Sequence, residues 1–241
     1  DPLVRGAALE TLLALPPQQR PALAIPLLDD PLRVIRLKAA RALAPVAVEG
    51  LSAARQYDLK KAFADYIAAQ EANAERPEAH LNLGLFHLDR RQYQDAEAAY
   101  RAALKLDATF APAYGNLADL YRATGREPEA EAILQQGLRV RPDDGALSHA
   151  LGLLRVRQKR PAEALRYLER AVTLSPDNAR YAYVLAVALH DTGKPEEARA
   201  SLARALELFP YDRDLLMAAL TYAREAGDDE AARDFAKRLA T

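Results

Sequence analysis

The sequence predicts an all-α fold, a right-handed α-solenoid of stacked antiparallel helix pairs, and three observations predict it. Half of the 241 residues are hydrophobic and only 10 are glycine. Alanine, leucine, arginine and glutamate dominate, and all of them favour helix. Apolar residues recur at helical spacing, and from Pro77 onward one pattern of small, large and helix-breaking residues returns about every 34 residues.

Windows of that length open at Pro77, Ala111, Gly145, Ala179 and Arg213, without an insertion. The seventh place of each holds Leu83, Leu117, Leu151, Leu185 and Ala219. The eighth holds Gly84, Ala118, Gly152, Ala186 and Leu220, and the twentieth is always alanine: Ala96, Ala130, Ala164, Ala198 and Ala232. Small residues at the eighth and twentieth places are expected to face each other and let the two helices of a pair approach. Tyr100, Leu134, Leu168 and Leu202 then fill the space around that contact. Pro142, Pro176 and Pro210 end the second helices. Gly125, Gly193 and Gly227 suit left-handed caps between paired helices. Pro128, Pro161 and Pro195 fit the first turns that follow, with Glu129, Glu163 and Glu196 at the positive helix start. The fifth window departs most: Leu220 is large where the others are small, and Ala236 is small where they are large.

Leu83-Gly84-x-x-His87…Ala96-x-x-x-Tyr100 and Leu117-Ala118-x-x-Tyr121…Ala130-x-x-x-Leu134…Pro142 resemble the tetratricopeptide (TPR) repeat. The resemblance covers five units: 77–110, 111–144, 145–178, 179–212 and 213–241. The tryptophan usual at the fourth place is replaced by His80, Tyr114, Ser148, Ala182 and Leu216.

Residues 1–48 follow another pattern. Asp1-Pro2-Leu3-Val4-Arg5-x-x-Ala8-x-x-x-Leu12 recurs as Asp30-Pro31-Leu32-x-x-x-Arg36-x-x-Ala39-x-x-x-Leu43. Asp-Pro ahead of an amphipathic run reads as an N-cap followed by a first-turn proline, and Arg20 to Leu28 reads as the paired helix. This part resembles a bacterial HEAT-type repeat, with the stack expected to continue upstream. In residues 49–76, Leu59, Ala62, Phe63, Tyr66 and Ile67 have helical spacing. Ala62 and Tyr66 fall at the small and large places of a second helix, so this segment reads as a bridging helix or degenerate TPR unit rather than a flexible linker.

The composition excludes several chemistries. There is no cysteine, hence no disulfide, thiolate zinc site, attached haem or thiol nucleophile. The 33 basic and 34 acidic residues nearly cancel, which argues against a nucleic-acid footprint. No apolar run reaches membrane-span length, and the opening Asp1-Pro2-Leu3 carries no signal-peptide pattern. No phosphate loop, G-x-S-x-G or H-E-x-x-H is present. His80 and His87 occupy packing places; His149 and His190 are expected to be solvated groove histidines. Asp143-Asp144 and Asp228-Asp229 read as sitting at unit boundaries, where capping is their expected role. No cofactor is expected in this segment, and an enzyme is not.

What remains is recognition. In TPR units the second, fifth, sixth, ninth, twelfth and thirteenth places face the concave side, so the resemblance implies a peptide-binding groove. The first unit contributes Leu81, Asn82, Leu85 and Leu88; the second, Asn116, Asp119 and Arg122. The third contributes His149, Leu153, Val156 and Arg157. The fourth contributes Arg180, Tyr183, Val187, His190 and Asp191, and the fifth Met217, Thr221 and Arg224. Asn82 and Asn116 have the chemistry to bond an extended peptide backbone; a packing role for them is the alternative. Leu81 and Ala146 stand where a carboxylate clamp needs cations, so the strip of Leu81, Leu85, Leu88, Leu153, Val156 and Val187 suits an apolar segment or amphipathic helix. The partner is expected to be a protein or peptide. Self-association into a homo-oligomer and the substrate-recruiting arm of an enzyme are the alternatives. The order of HEAT-like then TPR units, with Asn73-Ala74-Glu75-Arg76-Pro77-Glu78-Ala79-His80-Leu81-Asn82-Leu83-Gly84 at the junction, is similar to the C-terminal part of bacterial periplasmic multihaem cytochrome c proteins. That resemblance implies an extracytoplasmic parent engaged in electron transfer.

Overall fold

The computed structural model describes residues 1–47 and 51–240, and among them every regular element is helical. The sequence-derived boundary at residues 48/49 lies outside the described residues. The chain forms two compact units, Asp1–Gly125 and Arg126–Thr241.

The first unit contains α1 (Pro2–Thr11), α2 (Arg20–Ala24), α3 (Arg33–Leu43), α4 (Ala53–Glu71), α5 (Pro77–Asp89), α6 (Tyr93–Leu106) and α7 (Ala111–Ala123). Asp1 caps α1 as expected: its carboxylate accepts the Leu3 and Val4 N–H groups at 2.7 and 3.3 Å, ahead of Pro2. Asp30 does not repeat this. Its carboxylate accepts the Leu32 N–H at 2.9 Å, but α3 begins at Arg33 with Leu32 as the N-cap residue. The reason lies in the partner: Arg5 lies 2.7 Å from the buried Asp30 carboxylate, which therefore ties α1 to the start of α3.

The helix expected over Arg20 to Leu28 is also shorter. It runs as α2 and then becomes a 3-10 segment, Ile25–Asp29. Pro26 at the start of that segment has no N–H for an α-type bond. Arg20 is buried and donates to the Leu15 and Leu13 carbonyls, both at 2.9 Å, satisfying the turn that precedes α2.

One core cluster runs from Leu9 and Leu12 through Ile35, Leu43 and Leu59 to Phe63, Tyr66 and Phe86. The Phe86 ring of α5 meets Phe63 edge-on at 5.3 Å and stacks on Tyr66 at 5.0 Å. The bridging helix α4 is thus continuous and shares its core with the preceding helices and with α5.

The second unit contains α8 (Glu127–Val140), α9 (Gly145–Arg157), α10 (Pro161–Leu174), α11 (Ala179–Asp191), α12 (Pro195–Leu208), α13 (Arg213–Glu225) and α14 (Asp229–Leu239). Asp144, Asp212 and Asp228 cap α9, α13 and α14 through side-chain bonds of 2.9, 3.0 and 3.0 Å. That accounts for one residue of each acidic pair singled out above. The second helices α8, α10 and α12 stop just before Pro142, Pro176 and Pro210.

The close approach at the eighth place also involves a large residue. A Cβ built on Gly84 would overlap the ring of Tyr100, whose atoms are its nearest neighbours, and one on Gly152 would lie 2.8 Å from Leu168. In these two repeats the large residue at the twenty-fourth place is the nearest neighbour of the eighth, and the alanine of the twentieth is buried as well. This explains the fifth unit, where the sizes are exchanged. Leu220 is buried in a small cluster against which Ala236 packs. What looked like decay of the repeat is a swap that conserves the combined volume, the kind of core change proteins tolerate best.

The turn between paired helices is left-handed at the same place in all five units. Gly125, Gly193 and Gly227 have φ of 75, 79 and 73°, but Arg91 and Lys159 adopt φ of 58 and 55° without being glycine. A side chain in this region costs about 1–2 kcal/mol, partly offset by the entropy a glycine would lose. Arg91→Gly and Lys159→Gly are each expected to stabilise the protein by about 0.5–1 kcal/mol, read as a higher urea midpoint at unchanged slope. A lower midpoint would show that these side chains contribute more than their backbone costs.

Candidate functional site

The residues expected to line a groove stand on the first helices of the pairs, and adjacent first helices touch: α5 meets α7 in the first unit, and α11 meets α13 in the second. Within the first unit, Leu81, Leu85 and Leu88 are half-buried. The asparagine pair makes bonds within the protein. Asn82 donates to the Gln70 side chain of α4 at 3.1 Å, and Asn116 donates to the Pro112 carbonyl one turn earlier at 2.8 Å. One amide donor of each is engaged in this way, and Asn82 is exposed. Asp119 and Arg122 form an ion pair at 3.3 Å along α7.

The second unit holds the more open surface. Val156 and Met217 are 47% and 49% exposed, while Leu153, Tyr183 and Val187 between them are half-buried. Arg180, Arg224 and Thr221 are exposed beside them, and Thr221 bonds the Met217 carbonyl at 2.9 Å. Arg157 lies 3.7 Å from Glu127.

The histidines part company with expectation. His149 is not a solvated groove residue: it is buried, with its ring stacked on Tyr181 of the next first helix at 4.3 Å. Burial, with a smaller contribution from the Arg180 charge, holds its imidazole down to about 4. His190 is half-buried and stacks on Tyr222 at 4.0 Å while its Nε2 lies 2.7 Å from Glu225. His87 packs edge-on against Phe86, as its place implied, and His80 bonds the Ala74 carbonyl at 2.9 Å.

Two sets of interactions escaped the sequence reading. The first joins the twenty-first place of one unit to the eleventh of the next. In the first unit of the fold, Tyr121 donates to Glu97 at 2.8 Å. In the second, the buried Arg155 takes that place and lies 2.7 Å from Glu131 and 3.0 Å from Glu163. Hydrogen bonds from Arg155 and then Gln158 hold the Glu131 carboxyl down to about 2. Further on, Leu165 and Leu189 fill the two places and share one apolar cluster. The second set caps second-helix ends: Arg170 donates to the Pro142 carbonyl at 2.8 Å, and Arg238 to the Pro210 carbonyl at 2.6 Å. A signal for it was present, since Arg170, Arg204 and Arg238 stand at one place in three successive units.

Among the described residues no cluster of histidine and carboxylate side chains is arranged to hold a metal ion. No described helix is long and apolar enough to cross a membrane.

Comparison with known proteins agrees with the helical pairing. The solved structure of YrrB, described as a TPR protein with an unusual peptide-binding site, aligns at a TM-score of 0.52 and 26% identity, covering 71% of this chain and 88% of that one. A structure of MamA aligns at 0.56 and 19% identity, covering 68% of this chain and 90% of its own. One of pilF from Pseudomonas aeruginosa aligns at 0.60 and 22%, covering 71% and 77%. The human protein O-mannosyl-transferase TMTC3 is 34% identical over 97 residues, 40% of this chain; the match spans only 10% of that relative. Tetratricopeptide repeat models match residues 48–114, 149–213 and 191–241, and a further one matches 87–154. The matched stretches begin in the segment that leads into α4 and run to the end of the chain, and the chain belongs to the tetratricopeptide repeat family.

Proposed function

We propose that this chain is a protein-interaction module that holds an apolar peptide segment or amphipathic helix on its first-helix face, with the main hold in the second unit. One observation carries the reading: Val156 and Met217, each about half exposed, stand on a face whose other apolar members, Leu153, Tyr183 and Val187, are partly sunk into the protein. Apolar side chains raised above such a floor suit the spaced anchors of a helix lying in a groove. YrrB, whose description includes a peptide-binding site, supports the same use of the fold.

Val156→Glu together with Met217→Glu is the direct test. Both side chains are exposed, so helical circular dichroism and the unfolding midpoint are expected to stay within experimental scatter. Capture of partner protein from the source extract is expected to drop at least tenfold, about 1.4 kcal/mol. Full capture by the double variant would move the binding surface elsewhere.

The resemblance of the repeat order and of residues 73–84 to periplasmic multihaem cytochromes supports a parent in electron transfer, to which this module would recruit a partner. Haem-attachment sites elsewhere in the parent gene would agree with it, and a parent without them would end it.

A further inference from the structure

We propose that His149 is an acid-operated latch: protonating its ring drives it out of the stack on Tyr181 and loosens the seam between α9 and α11 on the first-helix face. The inference stands on packing and goes beyond the groove reading, since it holds whether or not a ligand occupies that face.

The geometry allows only a neutral ring. His149 is 8% exposed and its face lies against Tyr181, 4.3 Å between centroids and 20° from parallel. Its Nδ1 is buried without a hydrogen-bond partner, and among the described residues no carboxylate pairs with the ring. The charge that acts on it is the Arg180 cation from α11, which is repulsive to an imidazolium. From α11 the titratable neighbours are therefore Arg180 and Tyr181. On its own helix Asp144 acts on Tyr181, while its carboxylate accepts the Leu147 N–H of the α9 cap. No group from α8 or α10 contributes a charge that stabilises a protonated ring. A charged imidazole in that slot would be buried, unpaired and next to a cation, so burial opposes protonation.

His190 shows the contrast. It also stacks on a tyrosine of the next first helix, but its Nε2 lies 2.7 Å from the Glu225 carboxylate, an anion that His149 lacks.

The sign follows from linkage. The folded ring is held down to about 4 and the unfolded one titrates near 6.5. The unfolded state therefore binds the proton first, and stability is full above about pH 6.5 and is lost as pH falls through about 4. Between pH 7.5 and 5 the folding equilibrium is expected to weaken on the order of 10- to 30-fold through this residue.

The test compares urea unfolding of the wild type with His149→Phe and His149→Gln at pH 7.5 and 5. Phenylalanine keeps the stack and cannot take a proton; glutamine keeps a polar group and loses the ring. Wild type is expected to lose on the order of 10-fold more of its folding equilibrium than either variant. Histidine NMR is expected to show the His149 ring, assigned by its absence in His149→Phe, titrating well below the free-histidine range. Equal pH responses in wild type and His149→Phe, or a His149 ring titrating at the ordinary value, would overturn the latch. A variant that fails to fold leaves the NMR titration of the wild type as the deciding measurement.

Discussion

Arg155→Leu is expected to destabilise the protein by about 2–3 kcal/mol, and adding Glu131→Leu is expected to recover most of that loss. Arg155 is 3% exposed and meets Glu131 and Glu163 within 3.0 Å. Removing it leaves the partly buried Glu131 carboxylate with only the neutral Gln135 and Gln158 amides, while Glu163 keeps Arg160 at 2.7 Å. Removing Glu131 as well places leucine opposite leucine, the solution the chain itself uses where Leu165 and Leu189 share one core cluster. A buried ion pair and an apolar pair of similar volume are often close in free energy, while half of an ion pair is not. A double-mutant cycle from urea midpoints reads the coupling directly. Additive losses would mean that Arg155 matters through packing alone.

Acid reports on the same network. The folded protein keeps Glu131 ionised down to about pH 2, whereas an unfolded glutamate titrates near 4.3. The stability it contributes is complete above that value and falls away as pH drops through about 2. Glu131→Gln is expected to lose stability at neutral pH and to lack this acid limb.

The column pattern made the helix pairs legible, and nearly every stop, cap and turn read from proline, glycine and aspartate has its counterpart in the coordinates. Each of those signals is local: a proline that ends α10 does so whatever packs against it. The misreadings concern relations between helices. The repeats at Asp1 and Asp30 look alike in sequence, but Arg5 diverts the second aspartate from capping. His149 holds a groove place by number, and a place number says which helix face a residue is on, not what the neighbouring helix brings to meet it. Tyr181 covers His149, and Gln70 takes the Asn82 amide. Arg91 and Lys159 were missed as left-handed residues because glycine is the only strong sequence signal for that backbone conformation. Their equivalence to Gly125, Gly193 and Gly227 was available from register alone.

The pairing of sizes across each helix hairpin is the relation with the sharpest consequence, and Gly84→Ala is expected to expose it. Alanine normally gains about 1 kcal/mol over glycine inside a helix. Here the added methyl would overlap Tyr100 Cε1 and Cδ1. Tyr100 is wholly buried, so its ring cannot swing into solvent to make room. Overpacking of this kind costs about 1–3 kcal/mol, enough to reverse the helix gain, and the midpoint is expected to fall. Tyr100→Leu alone should also cost about 1–3 kcal/mol, through the space the ring leaves. Combined, the two changes reproduce the alanine–leucine pairing of Ala186 and Leu202, both buried in one cluster of the second unit. The double variant is therefore expected to be more stable than the sum of the single losses predicts, by at least about 1 kcal/mol. Leu220 and Ala236 already carry the rule to its opposite extreme, with the large residue on the first helix. A Gly84→Ala protein more stable than wild type would show that the two helices can slide apart at little cost, and the complementarity of these two places would then be coincidence.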